Sequence, residues 1–171
     1  MSRLHHPKII NDKILVGRDE WFGLPNLNIP VIKARIDSGA KTSSIHAFNI
    51  QVESEEGIDY AVFDIHPLQG NDQLSMTCRA PIVDCRTVMS SNGSKEKRYV
   101  IETMLSIARK IWKIEVTLSN RDPLKYRMLV GREAMVGNIL IDPELSCNQA
   151  KYTGKDAFTL LTNTIQIQTE K

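Results

Sequence analysis

Hydrophobicity that alternates residue by residue constrains this chain more than any other feature. In the segment IWKIEVTLS, Trp112, Ile114, Val116 and Leu118 fall on one side of an extended chain, and Lys113, Glu115, Thr117 and Ser119 fall on the other. Such a segment buries one face only as a strand. VIKARID behaves alike, with Ile32, Ala34 and Ile36 alternating against Val31, Lys33 and Arg35 before an abrupt end at Asp37-Ser38-Gly39. Further candidates are KILVG, AFNIQVES, DYAVFDIH, MTCRAPIVDC, RYVIETML, KYRMLVG, NILID and NTIQIQ, the last predicting a final strand over 164–168. Between two of these lies SSNGSKEK, whose Asn92-Gly93 pair favours a tight reversal with positive φ and predicts a hairpin or flap. Helical signal is confined to REAMVG just after Gly131; MLSIARKIW is weaker and is set aside because strand patterns flank it. Short strands separated by turns predict a mostly β fold, a closed or sandwiched antiparallel barrel with one short helix. No internal repeat is found.

The chain has 171 residues, 42% of them hydrophobic and 25% charged, so one domain with a sizeable core is expected. A net charge of +2 spread along the chain, with 6% aromatic residues, argues against both a membrane-surface role and a stacking platform for single-stranded nucleic acid. The N-terminus lacks the apolar core of a secretory signal and no apolar run approaches the roughly 20 residues of a membrane span, so a cytoplasmic location is expected. Cys78, Cys85 and Cys147 are an odd count without a CxxC pair, against a disulfide framework or a zinc ribbon. The reading divides the chain into an N-terminal extension (1–11), a β-barrel domain (12–143), and a polar C-terminal extension (144–171) that packs on the barrel.

Asp37-Ser38-Gly39-Ala40 follows a strand with apolar alternate positions, which would present a carboxylate at the mouth of a sheet beside a glycine that permits a close turn. Alone, Asp-Ser-Gly is an ordinary turn. A second feature raises its weight: the apolar run Met128-Leu129-Val130 leads into Gly131-Arg132 and a short helix.

Together these motifs resemble the retropepsin-like half of the aspartic peptidases, in which the apolar strand and its glycine pass behind the catalytic loop. ARIDSGAKTSSIHA, SSNGSKEKRYVIETML, IEVTLSNRD and MLVGREAM, in order over residues 12–143, look like the bacterial family named ATP-dependent zinc proteases. Its members are retropepsin-like and often accompany an ATP-grasp ligase that adds glutamates to a ribosomal protein. The resemblance implies a closed barrel and an aspartic-type peptidase with Asp37, Ser38, Gly39 and Lys41 as catalytic residues, His46 and Gly131 supporting the loop, and Lys33, Arg35, Thr42 and Arg132 binding substrate. It also implies an acidic, glutamate-tailed peptide or protein substrate. Lys41 departs from the pattern, since retropepsins usually carry an acid there, and Glu102 stands where a basic residue is usual. One Asp-Ser-Gly per chain requires either a homodimer or another partner acid. The family name promises ATP and zinc, but no GxxxxGK[ST] loop and no HExxH helix exists, and only His46 of the four histidines lies in a matching motif. No cofactor and no metal ligands are therefore assigned; zinc held by Asp37 and His46, nine residues apart, is the poorly supported alternative. The alternative reading is a non-catalytic retropepsin-like module for dimerisation or peptide binding.

Overall fold

The computed structural model describes residues 7–89, 92–120 and 125–170. Among them the chain runs β1 (Ile9–Ile10), β2 (Lys13–Val16), β3 (Asp19–Leu24), a 3-10 turn (Pro25–Leu27), β4 (Ile29–Asp37), β5 (Ser43–His46), β6 (Phe48–Glu55), β7 (Ile58–Ile65), β8 (Met76–Met89), β9 (Lys95–Ile107), β10 (Lys110–Ser119), β11 (Met128–Gly131), α1 (Arg132–Met135), β12 (Ile139–Ile141) and α2 (Gly154–Thr169). The fold is mostly β, as the alternation predicts.

A nine-stranded sheet has the order β10-β5-β11-β4-β3-β9-β8-β7-β6, and β10 also pairs with β9; β1, β2 and β12 form a second, three-stranded sheet. The core takes the apolar face of each alternating strand, with Ile32 of β4, Phe63 of β7, Leu105 of β9, Leu118 of β10 and Met128 of β11 all buried. On β10 the alternation reads out directly: Ile114, Val116 and Leu118 are buried while Lys113 and Glu115 are exposed. Of the SSNGSKEK segment, Ser90 and Ser91 lie outside the described residues; Asn92 to Ser94 precede β9, which pairs antiparallel with β8, and Gly93 takes φ +82°. MLSIARKIW is two strand ends, not a helix. Ile107 pairs with Lys110 across a tight turn in which Ala108 takes φ +54°, the left-handed region that matches hairpin twist.

Two expectations fail at the C-terminus. Residues 164–168 are not a strand: they lie in α2, so α1 is not the only helix among the described residues. Ala157 and Leu161 are buried and Ile165 packs against the core, a spacing that lays one helix face on the sheet and overrides the local alternation of TIQIQ. Thr153 starts the helix in a capping box, its hydroxyl accepting from Asp156 N while Asp156 accepts from Thr153 N.

Between β12 and α2, residues 144–149 lie along β2 and β3. Arg18 N donates to Leu145 O at 2.9 Å and Cys147 N to Asp19 O at 3.0 Å. Glu20, fully buried, accepts from the backbone N–H of Gly17, Asn148 and Gln149. Burial nevertheless outweighs those bonds and raises its pKa. Beside it Asp19 accepts from Tyr126 Oη and Ser146 Oγ, each at 2.5 Å. Burial opposes its charge, but the bonds from Ser146 and Tyr126, with Lys33 nearby, hold its pKa below the ordinary carboxylate value. All three cysteines are free, and burial pushes the Cys78 thiol up to about 12, as befits an inert core residue. Among the described residues no helix is long and apolar enough to cross a membrane.

Candidate active site

Strand β4 stops at Asp37 because its own side chain ends it. Asp37 Oδ1 accepts from Gly39 N at 3.1 Å and Ala40 N at 3.3 Å, and Asp37 O accepts from Ala40 N at 3.2 Å. The side chain thus mimics a backbone turn and points the chain out of the sheet. Oδ2 makes no hydrogen bond or ion pair among the described residues, which leaves one carboxylate oxygen for a water or a substrate.

The loop after Asp37 is clamped from behind. β11 lies between β4, parallel, and β5, antiparallel, with Gly131 level with Asp37 and Met128 level with both Ala34 and Ile45. A Cβ on Gly131 would stand 2.5 Å from the Thr42 carbonyl carbon and 2.8 Å from Ser43 N, so only glycine permits this approach. Gly131 N donates to the buried Ser43 Oγ at 3.0 Å. The next residues complete the clamp: Arg132 N to Ala40 O at 2.7 Å, Glu133 N to Lys41 O at 3.0 Å, and Arg132 Nη1 to Ser38 O at 3.0 Å. Trp112 Nε1, bonded to Ala134 O at 2.9 Å, fastens α1 to β10. Asp37, Ser38, Gly39, Lys41, Thr42, Gly131 and Arg132 therefore meet in one place.

Several candidate side chains are engaged with other groups or lie away from the turn. Lys41 Nζ pairs with Glu133 Oε1 at 3.7 Å, both side chains more than half exposed. Lys33 shares the strand face of Asp37 but is drawn to Asp19 at 3.9 Å and to the Trp21 ring, while Arg35 is exposed. His46 does not reach the loop it was expected to orient. Its N–H bonds Arg127 O, at the opposite end of β11 from Gly131, and its ring stands edge-on to Phe48. By the strand register it lies four rungs from Asp37, about 13 Å along the strands. Among the described residues no group of three or more His, Cys, Asp or Glu could hold a metal ion.

A residue that sequence reasoning passed over does reach the loop. Arg86 of β8 donates from Nη1 to Thr42 Oγ1 at 3.2 Å, from Nε to Asp84 at 2.8 Å and from Nη2 to Glu115 at 3.3 Å. Nothing in the local run CRTVM signals this, since its partner Thr42 comes from a distant strand end.

A second turn is built on the same plan. Asp142, just after β12, accepts from Glu144 N through Oδ1 at 3.0 Å and from Leu145 N through its carbonyl at 3.1 Å. Gly17-Arg18 clamps it as Gly131-Arg132 clamps the first: a Cβ on Gly17 would lie 2.5 Å from the Leu145 carbonyl carbon, and Arg18 Nη1 donates to Glu144 O at 3.1 Å. Leu15-Val16-Gly17-Arg18 and Leu129-Val130-Gly131-Arg132 are thus a short repeat, too brief and too widely separated to register as one in sequence.

The chain is similar to known proteins. A family model described as RimB-like, retropepsin-like aspartic endopeptidase RimB, matches residues 15–152. The chain is 49% identical over 135 residues to a probable alpha-L-glutamate ligase of Desulfotalea psychrophila, covering 79% of this chain and 29% of that protein. It is 46% identical over 136 residues to a protein of the same name in Shewanella pealeana, covering 80% of this chain and 30% of that one. It thus spans less than a third of the length of these curated relatives. A crystal structure of a Legionella pneumophila protein of unknown function superposes with a TM-score of 0.67 at 27% identity, over 80% of this chain and 98% of the other. With a family model covering most of its length, this chain belongs to the RimB-like family.

Proposed function

We propose that the chain is a cytoplasmic peptidase of aspartic type, a retropepsin-like closed barrel that hydrolyses peptide bonds in acidic, glutamate-tailed substrates. The observation that carries this reading is the state of Asp37: one carboxylate oxygen is anchored by Gly39 and Ala40, the other has no partner among the described residues, and the loop is fixed by five contacts from Gly131 to Glu133. Anchoring keeps the group in place as it changes protonation, which a general base requires. The Asp37 carboxylate takes a proton from water as that water attacks the scissile carbonyl; the tetrahedral intermediate then collapses with a proton passing to the leaving nitrogen. A second acid polarises the carbonyl. With one Asp-Ser-Gly per chain, it comes from Asp37 of a second copy or from another acid of the same chain. The acidic substrate is supported by the relatives, which are named as glutamate ligases, and by Arg86 and Arg132, whose guanidiniums touch Thr42 and Ser38 of the turn.

One observation favours a second reading. In the curated relatives the matching region occupies only 28 to 30% of a protein named as a ligase, so the domain could present a peptide to a ligase without cutting it. Exposing a glutamate-tailed peptide to wild-type protein and to Asp37→Asn, with mass spectrometry of the products, separates the two.

A further inference from the structure

The cations expected to read an acidic substrate are mostly committed elsewhere: Lys33 to Asp19, Lys41 to Glu133, Arg132 to the Ser38 carbonyl. Arg86 differs. It enters from the β8–β9 hairpin rather than from the Asp37 loop, and its guanidinium touches Thr42 while remaining 37% exposed. Directly across the hairpin from Arg86 stands Arg98. Opposed residues of an antiparallel pair share one face with Cβ atoms about 5 Å apart, and like charges placed so are destabilising. Each arginine is balanced by an acid on its own strand, Asp84 for Arg86 and Glu96 for Arg98, both at 2.8 Å. Of the two, Arg86 reaches the loop, at Thr42, and a guanidinium there, with a second one on the same hairpin face, suits a carboxylate that approaches the turn.

Glu115 fills the position that such a carboxylate would take. Its bond to Arg86 Nη2 is the longest that Arg86 makes, 3.3 Å, and its side chain is 42% exposed. On its other side Glu115 stands opposite Glu102 in the β9–β10 register, and Glu102 is itself paired with Lys113 at 3.5 Å.

We propose that Arg86, with Arg98 beside it, determines specificity by binding a substrate side-chain carboxylate, which displaces Glu115 from Arg86 Nη2. An acidic residue offers Arg86 a replacement acceptor; a neutral residue offers none and leaves Glu115 in place. This rests on the reading of the chain as acting on acidic peptides, but not on its cutting them.

The test is therefore binding in the Asp37→Asn background, with pentaglutamate and pentaglutamine peptides compared by calorimetry at low salt. Losing one charge-assisted contact should weaken binding about tenfold or more. Arg86→Gln is expected to weaken pentaglutamate by that factor and leave pentaglutamine unchanged, and Arg86→Lys to recover only part of the loss because lysine lacks the fork. Glu115→Gln is expected to tighten pentaglutamate, since it removes the competing acid; a merely structural role for the Arg86–Glu115 pair would weaken it instead. Equal binding of pentaglutamate with and without Arg86, equal losses for both peptides, no pentaglutamate binding at all, or weaker binding in Glu115→Gln would each overturn the proposal. Arg86-dependent binding in a protein whose wild type cleaves neither peptide would uphold it while overturning the peptidase reading.

Discussion

Gly131 and Thr42 are in backbone contact, so close that a methyl group on Gly131 would overlap the Thr42 carbonyl carbon at 2.5 Å. Both atoms that it would strike first are backbone, so neither can rotate away. Gly131→Ala should therefore destabilise by about 1–3 kcal/mol, the usual cost of overpacking, and should lower activity because the displaced loop carries Asp37. Gly154, where an added Cβ meets nothing within 4 Å, is the control: Gly154→Ala should leave the denaturation midpoint unchanged or raise it. Urea melts of both variants check this.

The Asp19–Tyr126 pair predicts a stability change at each end of the pH scale. Asp19 has its pKa held down, so its contribution is complete above the ordinary aspartate value and is lost as pH falls through the lower folded value. Tyr126 is pushed from 10.0 to about 12 by burial and by the bond to Asp19, so its contribution is complete below pH 10 and is lost as pH rises toward 12. Tyr126→Phe should abolish the alkaline loss, and the phenolate absorbance of wild type should include a late-titrating component that Tyr126→Phe lacks.

Asp142 offers an internal comparison, because its side chain and carbonyl accept from the second and third residues on, as those of Asp37 do. Asparagine keeps the Oδ1 acceptor in each case, so Asp37→Asn and Asp142→Asn should melt within a few degrees of each other. Asp37→Asn should lose hydrolysis, and Asp142→Asn should keep it if the second acid is Asp37 of another copy. If Asp142→Asn also abolishes it, the second carboxylate belongs to the same chain.

That outcome connects to assembly. Sedimentation at the working concentration should show a dimer if the second acid is Asp37 of another copy; a strict monomer that is active excludes that arrangement.

Strands with an alternating apolar face were legible because that face is the buried one: Ile114, Val116 and Leu118 on β10, Ile32 and Ala34 on β4. β3 was not, since all six residues from Asp19 to Leu24 are buried, the two acids included, and their partners arrive from Tyr126 and residues 146–149. α2 carried its signals openly, a Thr153–Asp156 box and apolar residues at 157, 161 and 165, but the alternation of TIQIQ at its exposed end was the louder local pattern. In the site, the Asp37 turn and its Gly131 clamp were legible as two motifs. His46 and Arg86 were not: the register that carries His46 away from Asp37 and the hairpin that brings Arg86 to Thr42 are both long-range pairings, which no local pattern encodes.

The central claim is that Asp37 activates water against a peptide bond, and it is tested most directly by incubating wild-type protein and Asp37→Asn with a glutamate-tailed peptide and its untailed counterpart, followed by mass spectrometry. The account predicts shortened products from the tailed peptide with wild type, few or none from the untailed one, and a fall of orders of magnitude with Asp37→Asn, whose circular dichroism stays native. Equal product from wild type and a folded Asp37→Asn would contradict it.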